Sequence, residues 1–111
     1  MSEYQFERKH DRIEYPTAAR PRFLVDGAQR EVVDLCELGL RYTAAEGERR
    51  TVGEEVEGIV RFRRGTDVPV RGAVVRLNHQ EVALHLGVGV PLRVVLEEQR
   101  YIRDRRRGPA W

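Results

Sequence analysis

Two arginines near the start of the chain are the first residues whose type and spacing suit ligand binding. Arg8 and Arg12 stand four positions apart, with Lys9 between them. The planar arginine fork forms paired hydrogen bonds with phosphate oxygens or with a guanine edge, and it stacks on flat rings. Because all the basic residues except Lys9 are arginine, composition alone also produces such pairs. The pair therefore needs a second element before it indicates a site.

A second polar group begins 22 residues after Arg12, at the end of a predicted strand. It has the pattern Asp34-x-Cys36-x-x-Gly39. Aspartate accepts hydrogen bonds from nearby backbone N–H groups, and glycine adopts positive φ without strain. Taken alone, this pattern predicts a tight turn.

The other polar side chains form no recognisable catalytic or metal-binding constellation. His10, His79 and His85 fall in the N-terminal segment, a predicted turn and a predicted strand, without triad or metal-site spacing. The single cysteine excludes an internal disulfide, and one thiol cannot build a zinc site. The Gly-Val-Gly segment at 87–89 lacks the lysine of a phosphate-binding loop. We therefore predict no enzymatic activity, metal site or cofactor.

Composition predicts one folded domain that does not insert into a membrane. The chain has 111 residues, 41% hydrophobic and 34% charged, which suits a single core with a charged surface. No stretch approaches the roughly 18 apolar residues of a membrane span, and the first residues lack an apolar signal core. Together with the single cysteine, these features predict a cytoplasmic location.

The middle of the chain alternates apolar and polar residues in short runs separated by turn residues. Such alternation places apolar side chains on one face of a strand, and the Asp26-Gly27 pair is a hairpin signal. Closure into a barrel removes exposed edges. We therefore predict a six-stranded antiparallel β-barrel over residues 18–90, with strands at 22–25, 30–35, 40–43, 54–63, 68–77 and 81–88.

The two ends of the chain differ from this pattern. After Pro91, a favoured first-turn residue, the spacing becomes helical, and arginines gather where they suit the C-terminal end of a helix dipole. The fold class is therefore all-β with a C-terminal helix. Residues 1–17 show no sustained period and are interpreted as a mobile arginine-bearing arm. The helix, 91–107, is predicted to pack on the barrel through Leu92, Val95, Leu96, Gln99 and Ile102.

The two polar groups, in this order and on this architecture, resemble the two motifs of the PilZ domain family. That family pairs an N-terminal Arg-x-x-x-Arg segment with a downstream Asp/Asn-x-Ser-x-x-Gly turn on a six-stranded barrel. The resemblance covers nearly the whole chain, from segment 8–12 through the turn at 33–41 to the terminal helix around 97–101. The chain departs from the pattern at Cys36, where the family has serine.

The resemblance implies a bacterial receptor for cyclic di-GMP, a second messenger with two phosphates and two guanines. The arginines would form paired hydrogen bonds with phosphate or guanine. The aspartate would accept hydrogen bonds from guanine N–H groups, which adenine does not present in the same arrangement. The glycine would let the turn approach the ligand closely. A thiol forms weaker hydrogen bonds than a hydroxyl, so the cysteine is expected to cost about 0.5–1.5 kcal/mol of binding. The implied ligand residues are Arg8, Lys9, Arg12, Asp34, Cys36 and Gly39.

The resemblance further suggests a switch. A bound dinucleotide would neutralise Arg8 and Arg12, order the arm against the Asp34 turn, and change the surface that meets an unidentified effector protein.

Two alternatives stay open. One is a PilZ-like adaptor that has lost nucleotide binding through Cys36 and binds only protein. The other is a barrel that binds single-stranded nucleic acid through a basic groove. The net charge of only +2 and an aromatic content of 7% disfavour the second alternative, so no nucleic-acid polymer is expected as a partner. Its groove would be lined by Arg61, Arg63, Arg64 and Arg71.

Overall fold

A computed structural model describes residues 12–107, with side chains described for residues 12–105. Seven strands, a short 3-10 helix and one α-helix make up this part of the chain. In chain order they are β1 (Ile13–Glu14), the 3-10 helix (Thr17–Ala19), β2 (Arg22–Val25), β3 (Ala28–Cys36), β4 (Gly39–Thr43), β5 (Glu55–Arg61), β6 (Asp67–Leu77), β7 (Glu81–Val88) and α1 (Leu92–Arg107).

Six of these strands close into an antiparallel barrel. Neighbours pair in the order β3-β2-β5-β6-β7-β4, and β4 returns to pair with β3. Strand β1 is additional. It pairs with the C-terminal end of β3, whereas β2 pairs with the N-terminal part of β3. The predicted six-stranded antiparallel barrel with a C-terminal helix is therefore confirmed.

Local sequence explains the first hairpin and the barrel interior. Asp26 and Gly27 connect β2 to β3 with φ values of 52° and 74°, the conformation that a two-residue hairpin turn of the favoured type requires. Alternate positions of the strands then point inward, and valine is the commonest residue there. Two fully buried rings, Phe23 and Tyr42, pack with their centroids 5.1 Å apart.

The predicted boundary of the N-terminal arm lies too late in the chain. Ile13 and Tyr15 are buried in the core, and the backbone N–H of Tyr15 donates to Val33 at 3.0 Å. Residues from Ile13 onward therefore belong to the barrel, whereas the sequence pattern predicts an arm that extends to residue 17. A two-residue strand shows no periodicity, so only its pairing with the distant β3 reveals it.

Helix α1 covers the predicted span, but its buried face differs from the prediction. Leu92 and Leu96 are 44% and 49% exposed, whereas Val95 and Ile102 are buried as predicted. The buried stripe includes Val94 and, unexpectedly, a glutamate. It consists of Val94, Val95, Glu98 and Ile102.

Glu98 explains this rotation of the helix. The Tyr15 hydroxyl donates to Glu98 Oε1 at 2.7 Å, and Arg64 Nε donates to Oε2 at 3.4 Å. A buried carboxylate requires such partners, and with them the glutamate is only 1% exposed. Burial and the adjacent Glu98 carboxylate raise the pKa of Tyr15 far above its usual value, so the tyrosine remains a hydrogen-bond donor. The helix is thus oriented by a polar contact that a count of apolar residues cannot predict.

Candidate functional site

The candidate site is built on the hairpin of β3 and β4. Cross-strand register places Cys36 opposite Gly39 and Asp34 opposite Arg41. Strand β1 pairs on the other edge of β3, with Ile13 opposite Leu35, and so carries Arg12 to the end of the same strand. Residues more than twenty positions apart in sequence are thereby brought together.

Asp34 is the centre of this site. Asp34 is a buried residue, and Arg12 Nη2 donates to its Oδ2 at 2.9 Å. Arg41 Nη2 donates to the same oxygen. Hydrogen bonding to Asp34 raises the pKa of Arg12 above its usual value. A buried carboxylate therefore holds two guanidinium groups on one atom, and its link to Arg12 joins the two polar motifs of the sequence.

Arg41 is a member of the site that neither sequence motif includes. Besides Asp34, it lies near Glu81 of β7, with 3.3 Å between Nη1 and Oε1. In the sequence, Arg41 is marked only by its position two residues after Gly39 in a predicted strand. Without the register, which shifts at a bulge between Val32 and Asp34, the facing partner of Arg41 could not be assigned.

Cys36 and Gly39 flank the two-residue turn that ends the hairpin. Gly39 does not have the positive φ expected from turn chemistry; among residues 12–107, that conformation occurs at other glycines. The position is instead closely packed, because a Cβ there would lie 3.1 Å from Cys36 Sγ, tighter than an ordinary contact. Cys36 is a half-buried free thiol. The absent side chain of Gly39 thus leaves room beside the sulfur.

The turn itself, Glu37 and Leu38, is fixed to the segment that precedes α1. Backbone N–H groups of Leu86 and Val90 donate to the carbonyls of Leu38 and Glu37, each at 2.9 Å. Gly89 permits this approach, since a Cβ there would lie 2.1 Å from the Glu37 carbonyl oxygen. The turn is therefore held by hydrogen bonds outside its own hairpin.

The structure brings together part of the predicted ligand set. Arg12 and Asp34 are in direct contact, and Cys36 and Gly39 lie at the end of the same hairpin. Arg8 and Lys9 lie outside the described residues.

The arginines of the alternative nucleic-acid groove are engaged in intramolecular contacts. Arg61 forms two hydrogen bonds with Asp67, and Arg63 donates to the carbonyl of Arg20. Arg64 donates to the glutamates of α1 and lies over Tyr101. Arg71 is 3.7 Å from Glu55. These guanidinium groups do not form a common unpaired basic surface.

No helix within residues 12–107 is long and apolar enough to cross a bilayer.

No protein-family model matches the chain, and no curated protein sequence matches it. Its structure is similar to that of the Bacillus subtilis inhibitor of motility (MotI/DgrA), with a TM-score of 0.64 and 13% sequence identity. The match covers 83% of this chain and 51% of that protein, so the chain spans about half its length. At this identity the likeness concerns the fold alone. The closed barrel, the additional strand and the terminal helix form a PilZ-like fold.

Proposed function

We propose that this chain is a non-catalytic receptor domain that binds cyclic di-GMP on the outer face of β3 and β4 and relays its level to a protein partner in the cytoplasm. The observation that carries the proposal is the Arg12–Asp34 ion pair on a PilZ-like barrel. It brings a phosphate-binding and guanine-stacking group within hydrogen-bond distance of a carboxylate. These are the two chemistries that a guanine dinucleotide requires.

The accessibility of these groups supports the proposal. The Arg12 side chain is 45% exposed, whereas that of Asp34 is 10% exposed. A ligand can thus reach the arginine from solvent, while the carboxylate lies deeper, where hydrogen bonds are stronger. Arg8 and Lys9 complete the proposed cationic segment, and we expect them to contact the phosphates. Slower amide exchange of segment 1–11 on ligand addition is the expected signature of the proposed arm ordering.

Calorimetric titration with cyclic di-GMP tests this function. We expect saturable binding that Arg12→Ala weakens by about tenfold or more, because a charge-assisted pair is lost. Cyclic di-AMP serves as the ligand control, since adenine lacks the guanine N–H pattern that Asp34 would read.

Arg71→Ala serves as the matched protein control. It removes an arginine that is half exposed and pairs with Glu55 on β5, away from the β3–β4 hairpin. Equal binding by wild type and Arg12→Ala, or equal affinity for both dinucleotides, would contradict the proposal.

Cys36 favours a second candidate function, an adaptor that binds only protein. A thiol replaces the better hydrogen-bonding hydroxyl at a position beside the proposed ligand. In this case wild type gives no binding heat with cyclic di-GMP, and Arg12→Ala retains the cellular activity of the protein. The same titration therefore separates the two candidates.

A further inference from the structure

Arg41 lies beside Asp34 in the candidate site although it belongs to neither polar motif. Its side chain is 35% exposed and lies between two carboxylates, Asp34 and Glu81. Its Nε is buried and has no hydrogen-bond partner in the part of the chain that the structure describes. A buried N–H without an acceptor is destabilising. The observed contact with Asp34 therefore leaves Arg41 incompletely satisfied.

Asp34 cannot receive a guanine edge in this arrangement. Oδ2 already accepts hydrogen bonds from both Arg12 and Arg41, which uses the two lone pairs of that atom. The adjacent N–H donors of guanine form a paired contact with both oxygens of a carboxylate. At least one guanidinium must therefore leave Oδ2 when a guanine binds there.

Arg41 is better suited than Arg12 to give up its hydrogen bond with Asp34 Oδ2. Within residues 12–105, ion pairs connect Arg12 to Asp34 alone, whereas Arg41 has Glu81 as a second carboxylate at 3.3 Å. A guanidinium that turns away from Asp34 toward Glu81 keeps a counter-ion throughout. It also frees Nε–H from its buried position to find an acceptor.

We propose, resting on the proposed function, that Arg41 is a further ligand-binding arginine that exchanges Asp34 for a phosphate oxygen of the bound dinucleotide. The guanine N–H groups then take its place on the Asp34 carboxylate. Arg41 donates to the phosphate through Nε–H and a terminal nitrogen, a paired geometry that lysine cannot reproduce. Glu81 accepts a hydrogen bond from the other terminal nitrogen and so orients the guanidinium group.

The first test observes Arg41 directly by NMR. Its side-chain Nε–H resonance is identified as the one absent from the spectrum of Arg41→Lys. On addition of cyclic di-GMP to wild type, we expect this resonance to shift and its exchange with water to slow. If Arg41 served only to hold Asp34 in place, its Nε–H would remain without an acceptor and its resonance would stay unchanged.

Affinity gives the second test. We expect Arg41→Gln and Arg41→Lys each to weaken cyclic di-GMP binding by about tenfold or more, because both lose the paired contact with phosphate. The control Arg71→Gln, at a paired arginine on β6, is expected to bind as wild type does. Wild-type affinity in both Arg41 variants, with an unmoved Nε–H resonance, would overturn the inference while leaving the proposed function intact.

A titration with inorganic pyrophosphate separates failure of the inference from failure of the proposed function. If wild type does not bind cyclic di-GMP, the proposed function fails. A pyrophosphate-dependent shift of the Arg41 Nε–H would then still support Arg41 as an oxyanion-binding residue. No shift with either ligand would overturn the inference as well.

Discussion

Cys36 is the residue at which this site differs from the pattern that it otherwise resembles. Cys36 is half buried, with its sulfur beside Gly39, in a hairpin that also carries Asp34. A serine hydroxyl is smaller and both donates and accepts hydrogen bonds more strongly than a thiol. The position therefore provides a single-atom test of how the turn contributes to binding.

We expect Cys36→Ser to tighten cyclic di-GMP binding by about threefold to tenfold, the equivalent of one improved hydrogen bond. Calorimetric titration of the two proteins under identical conditions measures the difference. Cys36→Ala controls for the loss of the sulfur and is expected not to gain affinity. Equal affinities for the serine and alanine variants would show that the hydroxyl makes no contact with the ligand.

At the same scale, the sequence predicts some site residues and cannot predict others. Asp34 and Arg12 follow from two recognisable patterns, and their contact follows from the fold. Arg41 belongs to no pattern, since arginine is abundant in this chain and only the strand register identifies its partner. The conformation of Gly39 was also mispredicted, because the same residue type serves both positive φ and close packing.

At the scale of the elements, the start of the chain and helix α1 are joined by a buried hydrogen bond. The Tyr15 hydroxyl reaches Glu98 at 2.7 Å, across 83 positions of sequence. Tyr15 follows Arg12 by three residues, so the contact fixes the segment that leads into the candidate site. The contact therefore links helix α1 directly to the segment that continues from β1.

We expect Tyr15→Phe to lower the free energy of unfolding by about 1–3 kcal/mol, because Glu98 then keeps only the longer contact with Arg64. For a domain of this size, that loss corresponds to a decrease in the thermal midpoint of roughly 5–15 °C. Scanning calorimetry measures the midpoint, and amide exchange reports whether α1 opens first.

Tyr101→Phe is the matched control for this change. It also removes a tyrosine hydroxyl, but from a half-buried ring on α1 that contacts Arg64 through its face. We expect a smaller effect on the midpoint and no selective opening of the helix. An equal decrease in both variants would mean that the Tyr15 hydroxyl is not the contact that orients α1.

The strands were predictable from alternation because each of them buries one face and exposes the other. This pattern persists in β5, where Val56 is buried between the exposed Glu55 and Glu57, and Val60 is buried between the exposed Ile59 and Arg61. The pattern fails for elements too short to show a period, such as β1, and for Glu98, whose burial depends on a partner elsewhere in the chain. Local periodicity thus predicts elements, whereas long-range polar pairing decides their orientation.

At the scale of the whole molecule, an ion network around Glu48 connects the loop between β4 and β5 with the barrel wall. Glu48 accepts hydrogen bonds from Arg30 of β3, Tyr42 of β4 and Arg50 of the loop. Arg50 also reaches Asp26 in the first hairpin, at 2.8 Å. The first hairpin, β3, β4 and the loop are therefore connected by one network, centred on the almost fully buried side chain of Glu48.

Because of this network, we expect the free energy of unfolding of the barrel to decrease at acid pH. Burial would raise the pKa of Glu48, but hydrogen bonds from the Ala45 backbone, Arg30, Arg50 and Tyr42 outweigh it and lower the pKa from 4.5 to about 2. A carboxylate with a lower pKa in the folded state stabilises it above the unfolded pKa. That contribution decreases as the pH falls from about 4.5 through the folded value of about 2.

We expect Glu48→Gln to lower the free energy of unfolding at pH 7 by on the order of 3 kcal/mol, the equivalent of the pKa difference. Urea denaturation at pH 7, 4 and 3 should show wild type approaching the variant as the pH falls, because protonation removes the charge that the substitution has already removed. Glu57→Gln, at an exposed position of β5, is the control and should follow wild type at every pH. Parallel pH profiles for wild type and Glu48→Gln would show that this carboxylate does not couple the loop to the barrel, and that the acid sensitivity of the fold originates elsewhere.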